Sequence, residues 1–217
     1  MKKIRLLLFA ILPLVFLFVS ELNAQGQEKE FKYVVKINPL AAAGGPFWIA
    51  IIPMTGEYKA QFEIATSPKN SFQIGASYIG PGLLLNLDEL SENQDSAISG
   101  ITTSGFRVTG AYKFFMSSDL LAPEGFYMGP YISYASAKIE NNDNSTDKLT
   151  ATKLSVMGIV GYQMISSGGF ALDIFTGMGY RKVDWEFNND ATNFDMGGIK
   201  NKGGIGLALG FSFGLAF

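Results

Sequence analysis

Nine charged residues stand beside large apolar neighbours at even spacings within short segments: Lys32 and Lys36; Glu57, Lys59 and Glu63; Arg107 and Lys113; Asp173 and Arg181. In extended chain, where successive side chains point to opposite sides, even spacing gathers each set on one face. Six bases and three acids on such a face pair with one another, and the basic excess favours anions in any passage between them. Proton shuttling and nucleophilic attack are poorly served. The chain has no His and no Cys, the side chains most often used for those tasks near neutral pH. No Ser–Lys or Thr arrangement is marked by a motif, so no catalytic, cofactor-binding or metal-ligating residue is assigned, and the chain is expected not to be an enzyme.

The elements that must carry these charges read as strands. At the C-terminus, Ile205, Leu207, Leu209, Phe211, Phe213, Leu215 and Phe217 alternate with Gly206, Ala208, Gly210, Ser212, Gly214 and Ala216. That is the strand period, with one large apolar face and one small face. A soluble sandwich would place polar groups on its outer face. The alternation recurs over 31–40, 56–65, 72–79, 106–115, 125–137, 153–165 and 170–182. Tyr33, Val35, Phe62, Ile74, Val108, Ile132, Val156 and Ile174 are among the residues expected to face outward. The nine charges then face a common interior. Eight candidate strands result, each near the length that a tilted strand needs to cross a bilayer.

Connections alternate between short (67–70, 117–124, 166–169) and long (43–54, 81–101, 139–150, 187–199), as in outer-membrane barrels with short periplasmic turns and longer outer loops. Aromatic residues gather near both strand ends, in the manner of interfacial girdles. The expected fold is all-β, a closed up-and-down antiparallel transmembrane barrel of eight strands. Pro39 and Pro130 fall within or near strands and weaken pairing there.

Residues 1–24 combine a basic start (Lys2, Lys3, Arg5), an apolar run from Leu6 to Val19 and Ala24 before a polar stretch, which predicts a cleaved signal peptide. Residues 25–217 then form one barrel domain. Losing Lys2, Lys3, Arg5 and Glu21 takes the net charge from −2 to about −4, against a nucleic-acid partner.

On these features residues 31–217 resemble the small eight-stranded OmpA/OmpX-type barrels of Gram-negative envelopes. A terminal aromatic closing an alternating strand resembles the assembly signal read by the barrel insertion machinery, carried here by Phe211, Phe213 and Phe217. Segments such as Lys36-Ile37-Asn38-Pro39-Leu40 and Gly125-Phe126-Tyr127-Met128-Gly129-Pro130-Tyr131 look like those of uncharacterised envelope barrels. The resemblance supplies no catalytic residue and no cofactor, and it implies outer-membrane lipid as the surroundings.

An eight-stranded barrel is just wide enough for side chains to fill, so the inward charges are expected to knit into a plug. The expected role is a non-enzymatic structural or interaction barrel displaying extracellular loops, the extracellular ligand being unknown. The alternative is a narrow pore or a conduit for small apolar molecules. The acid- and amide-rich loops around 88–95, 141–147 and 188–195 lack EF-hand spacing and read as solvated loops. The apolar stretch 45–54 has two open readings: a partner or lipid contact, or an extension of a strand across the barrel mouth.

Overall fold

The computed structural model describes residues 31–42, 55–82, 101–141, 148–188 and 202–217. The predicted leader, the apolar stretch 45–54 and most of the acidic loop residues lie outside these. The strands are β1 (Tyr33–Ile37), β2 (Thr55–Ser67), β3 (Asn70–Pro81), β4 (Ile101–Phe115), β5 (Gly125–Asn141), β6 (Lys148–Ile165), β7 (Phe170–Asn188) and β8 (Lys202–Ala216), with a one-turn helix α1 (Pro39–Ala42) after β1. Each strand pairs antiparallel with the next, and β1 pairs with β8, closing an eight-stranded barrel.

Orientation follows from the alternation. Lys36 lies between Val35 and Ile37, Glu63 between Phe62 and Ile64, Lys113 between Tyr112 and Phe114, and Asp173 between Leu172 and Ile174. A slip of one residue in any of these strands would turn its apolar residues into the lumen and its charge outward. Large apolar residues therefore cover the outside: Phe72, Ile74, Val108, Ile132, Val156, Val160, Ile174 and Leu215 are all exposed. This belt runs from Phe170 to Tyr180 on β7, where outward Lys182 and Glu186 succeed it, and from Phe126 to Tyr134 on β5, followed by Ser136 and Lys138. Soluble monomers seldom expose so continuous an apolar surface.

Sequence and structure differ in strand length. Residues 139–141 and 148–150, expected within a long connection, belong to β5 and β6, which stay in register through Ile139↔Leu149 and Glu140↔Lys148. Inward Ala137 and Ala151 face each other and are fully buried, so the ladder continues past the apolar belt on small side chains. Pro39 does not interrupt a strand; it opens α1, where its missing N–H costs nothing, and Asn38 Oδ1 accepts from Ala41 N at 3.0 Å. Pro130 does lie inside β5, and the β4–β5 ladder lapses between Ala111↔Tyr131 and Phe114↔Met128. There the backbones approach so closely that a Cβ on Gly129 would collide with the Tyr112 carbonyl.

Glycines make room for interior aromatics. Tyr127 lies over Gly161, its cross-strand partner, and Phe175 over Gly210, likewise its partner. The small inner face of β8 thus has a use: Gly206 and Gly210 leave space for Arg181, Met157 and Phe175 from β6 and β7. A Cβ at Gly161 would stand 2.6 Å from the Tyr127 hydroxyl. Gly161→Val should lower stability by about 1–3 kcal/mol through overpacking, read as a lower urea midpoint of the refolded barrel. Gly158→Val, on the outward face with no atom nearer than 4.0 Å, should leave the midpoint unchanged.

Candidate functional site

Seven strands send polar side chains to one point near the end of the barrel that carries the chain termini. Lys36 (β1), Glu63 (β2), Ser71 and Gln73 (β3), Lys113 (β4), Tyr127 (β5), Gln163 (β6) and Asp173 (β7) are all essentially inaccessible to solvent. The Lys36 ammonium reaches Glu63 Oε2 at 2.5 Å and Asp173 Oδ2 at 2.6 Å. The Lys113 ammonium reaches the same two oxygens at 3.0 and 2.8 Å. Two cations and two carboxylates thus alternate in a closed ring of zero net charge.

The amides and hydroxyls complete it. Gln163 Oε1 accepts from both ammoniums, each at 2.9 Å. That fixes the sense of its amide, since Nε2 there would oppose two donors. Gln73 Oε1 accepts from Lys36 at 2.6 Å. The Tyr127 hydroxyl donates to Asp173 Oδ1 at 2.6 Å, and the Ser71 hydroxyl donates to Glu63 Oε1. Lys113 also lies 4.2 Å from the centre of the Tyr127 ring. Desolvating four charges is costly, and only such dense mutual pairing offsets it.

Above this plug, towards the loop end, the lumen widens into a cavity of about 490 Å³. Its polar lining includes Glu57, Lys59, Arg107, Lys153 and Arg181, and its apolar lining includes Tyr131, Met157 and Phe175. Glu57 is engaged by Arg107 Nη1 at 3.1 Å and by the Ser77 hydroxyl at 2.7 Å. Arg107 Nε and Nη2 are buried with no hydrogen-bond partner among the described residues. Lys59, Lys153 and Arg181 form no ion pair among the described residues.

The nine charges singled out from sequence therefore separate into groups. Lys36, Glu63, Lys113 and Asp173 meet in the plug; Glu57, Lys59, Arg107 and Arg181 line the cavity. Lys32 joins neither: it precedes β1 and is exposed, with its ammonium 5.8 Å from the Tyr33 ring. Its backbone still bonds on both sides, Lys32 N–H donating to the Phe217 carbonyl at 3.2 Å and the Lys32 carbonyl accepting from Ala65 N at 2.9 Å. Phe211, Phe213 and Phe217 lie on the outward face of the last strand; Phe217 N donates to Tyr33 O at 2.9 Å, tying the chain end to β1.

Sequence reasoning singled out none of Lys153, Gln163, Gln73, Ser71 and Tyr127, although the alternation over 72–79 puts Gln73 opposite Phe72, Ile74 and Tyr78. The parity of Leu154, Val156, Val160 and Tyr162 already implied that 153 and 163 face inward. The uncharged members carry no signal that distinguishes plug from ordinary lumen polarity. Among the described residues, no group of three or more acids, His or Cys is placed to hold a metal ion. The chain matches no protein-family model and no curated protein.

Removing one member of the ring strands an opposite charge. Lys113→Met and Asp173→Asn should each cost about 3–5 kcal/mol. The double variant, which restores neutrality around Lys36 and Glu63, should cost clearly less than their sum. Urea unfolding of all four proteins gives the coupling directly.

Proposed function

We propose that the protein is a non-enzymatic β-barrel of the Gram-negative outer membrane, closed to ion flow, which serves as a structural and interaction protein presenting its loop end outside the cell. The observation that carries this reading is the buried charge ring, which draws on β1, β2, β4 and β7 and fills the lumen where an open pore would need water. Membrane residence is supported by the outward apolar belt. Its extent, such as Phe170 to Tyr180, matches the roughly 9–11 residues of a tilted spanning strand.

Tyr58, Tyr78, Tyr134 and Tyr180 stand at one border of the belt and Phe72, Phe114, Phe126 and Phe217 at the other, as amphipathic rings do at membrane interfaces. Beyond the belt β5 and β7 continue with charged outward residues and β6 with Thr152 and Thr150, so the loop end would project into water as a rigid rim. In this reading Phe211, Phe213 and Phe217 present the terminal strand to the insertion machinery.

Refolded protein in a planar bilayer should show no steady single-channel conductance, while an inserted, folded barrel is verified in the same preparation. Steady conductance whose ion preference changes with Arg107→Ala would replace the closed barrel by the narrow pore.

A further inference from the structure

The cavity above the plug is walled by two rows of inward residues that the strand register sets side by side. The first row runs Lys59↔Ser77↔Arg107↔Ala135↔Lys153 across β2 to β6. The second runs Thr109↔Ser133↔Ser155↔Arg181 across β4 to β7. On β4, β5 and β6 the two rows are two residues apart, so they share the inner face. The cations of the first row are separated only by Ser77 and Ala135, both small and buried. Nothing bulky in the row keeps their long side chains out of a common space. Lys153 is repelled by both Arg107 and Arg181, which places all three within electrostatic reach of one another.

Gathering like charge in a half-dry lumen is costly, and the described lining does little to offset it. Four cations face a single carboxylate, Glu57, which Arg107 and the Ser77 hydroxyl already hold. The plug below is neutral in itself and supplies no spare acid. Arg107 gives only Nη1 to Glu57. Its Nε and Nη2, which form the side edge of the guanidinium, are buried and meet no acceptor among the described residues. Two oxygens of one oxyanion would satisfy that edge together. The second row adds neutral donors: Ser133 and Ser155 are buried cross-strand partners, and both line the cavity.

We propose that the two rows form a binding site for a doubly charged oxyanion of the phosphate type, held by Arg107, Lys153 and Arg181 with the Ser133 and Ser155 hydroxyls donating to it. A dianion offsets most of the cationic excess, whereas a halide offsets less and cannot span an Arg edge. The volume, about 490 Å³, falls within the roughly 300–1,000 Å³ of small-molecule sites and exceeds the needs of the anionic group alone. Tyr131 and Phe175, their ring centres 5.8 Å apart, supply an apolar wall beside the hydroxyl row. The phosphate therefore belongs to the free ion or to a small organic ester whose body rests on those rings. The inference rests on the closed barrel proposed above, because the plug makes the cavity a site and not a passage; it does not depend on where the barrel resides.

Binding is measured by calorimetry on refolded full-length protein in neutral detergent and low salt, at about pH 8, where a phosphate ester is doubly charged. The probes are inorganic phosphate, phenyl phosphate, chloride and phenyltrimethylammonium. One phosphate or one phenyl phosphate should bind per barrel. Chloride should bind at least about tenfold more weakly, and the organic cation should not bind. Tighter binding of inorganic phosphate assigns the free ion; tighter binding of phenyl phosphate assigns a small organic phosphate. The double variant Lys153→Gln/Arg181→Gln should weaken phosphate by about tenfold or more, whereas Lys182→Gln, at an outward exposed position, should not.

Stability gives an independent readout. Without ligand, Lys153→Gln/Arg181→Gln relieves the crowding of like charge, so its urea midpoint should equal or exceed that of the parent. Phosphate should raise the parent's midpoint and leave that of the double variant unchanged. Ser155→Asp sets a carboxylate opposite Arg181 in the register; it should abolish phosphate binding in a protein that still folds. Equal affinity for phosphate and chloride, or phosphate binding retained in both variants, would overturn the proposal. So would absence of binding to folded protein that is silent in bilayers. Steady conductance would instead overturn the closed barrel on which it rests.

Discussion

Four charges inside an apolar-coated cylinder, towards the end that carries the chain termini, set the terms for the rest of the structure. Lys36, Glu63, Lys113 and Asp173 are removed from water together, each ammonium touching both carboxylates. None of them is tolerable alone in that place, because an isolated buried charge is far costlier than a matched pair. The ring therefore forms only when β1, β2, β4 and β7 are all in register, and it acts as a check on closure of the barrel. Closure through the β1–β8 pairs leaves the sheet no free edge at the level of the ring, as a spanning structure in lipid requires. The charge ring adds specificity against two-residue slips, which keep every side chain on its own face and which alternation alone does not penalise.

The remaining interior is arranged around that ring. Tyr127 buttresses it, donating to Asp173 while its ring faces Lys113, and Gly161 opposite leaves the space that Tyr127 needs. On the far side of the barrel, the small inner face of β8 admits Phe175, Met157 and Arg181. The lumen is thus filled by an uneven division of labour: large side chains from β4 to β7, small ones from β8. This is how a barrel of this size reaches close packing with few inward positions per strand.

Charge is also divided along the axis. The plug is neutral, whereas the described lining of the cavity above it is cationic, with Arg107 and Glu57 forming its only ion pair among the described residues. The two zones impose different physics. Balanced charge in a dry, crowded setting stabilises and closes; unbalanced charge beside apolar surface attracts a ligand of opposite sign. Among the described residues the β1–β8 pairing ends at Ile37↔Phe213, beside the second zone and not the first.

Much of this was legible in the chain itself. Alternation with a period of two settles strand type, and the choice of which face is apolar settles outside from inside, because both are local properties of consecutive residues. Phe62-Glu63-Ile64 and Leu172-Asp173-Ile174 each declare their inward member without reference to any other segment. Tertiary structure alone decided which inward residues meet. Lys36 and Asp173 are 137 positions apart, and their contact depends on the stagger of strands around a closed sheet, to which no single strand is sensitive. The same stagger assigns Lys36 and Lys113 to the plug but Lys59 and Arg181 to the cavity, although in sequence all four look alike. It also exposes the short reach of β1, whose five residues leave upper β8 without a partner among the described residues. Period is a property of one strand, but register is a property of the ring.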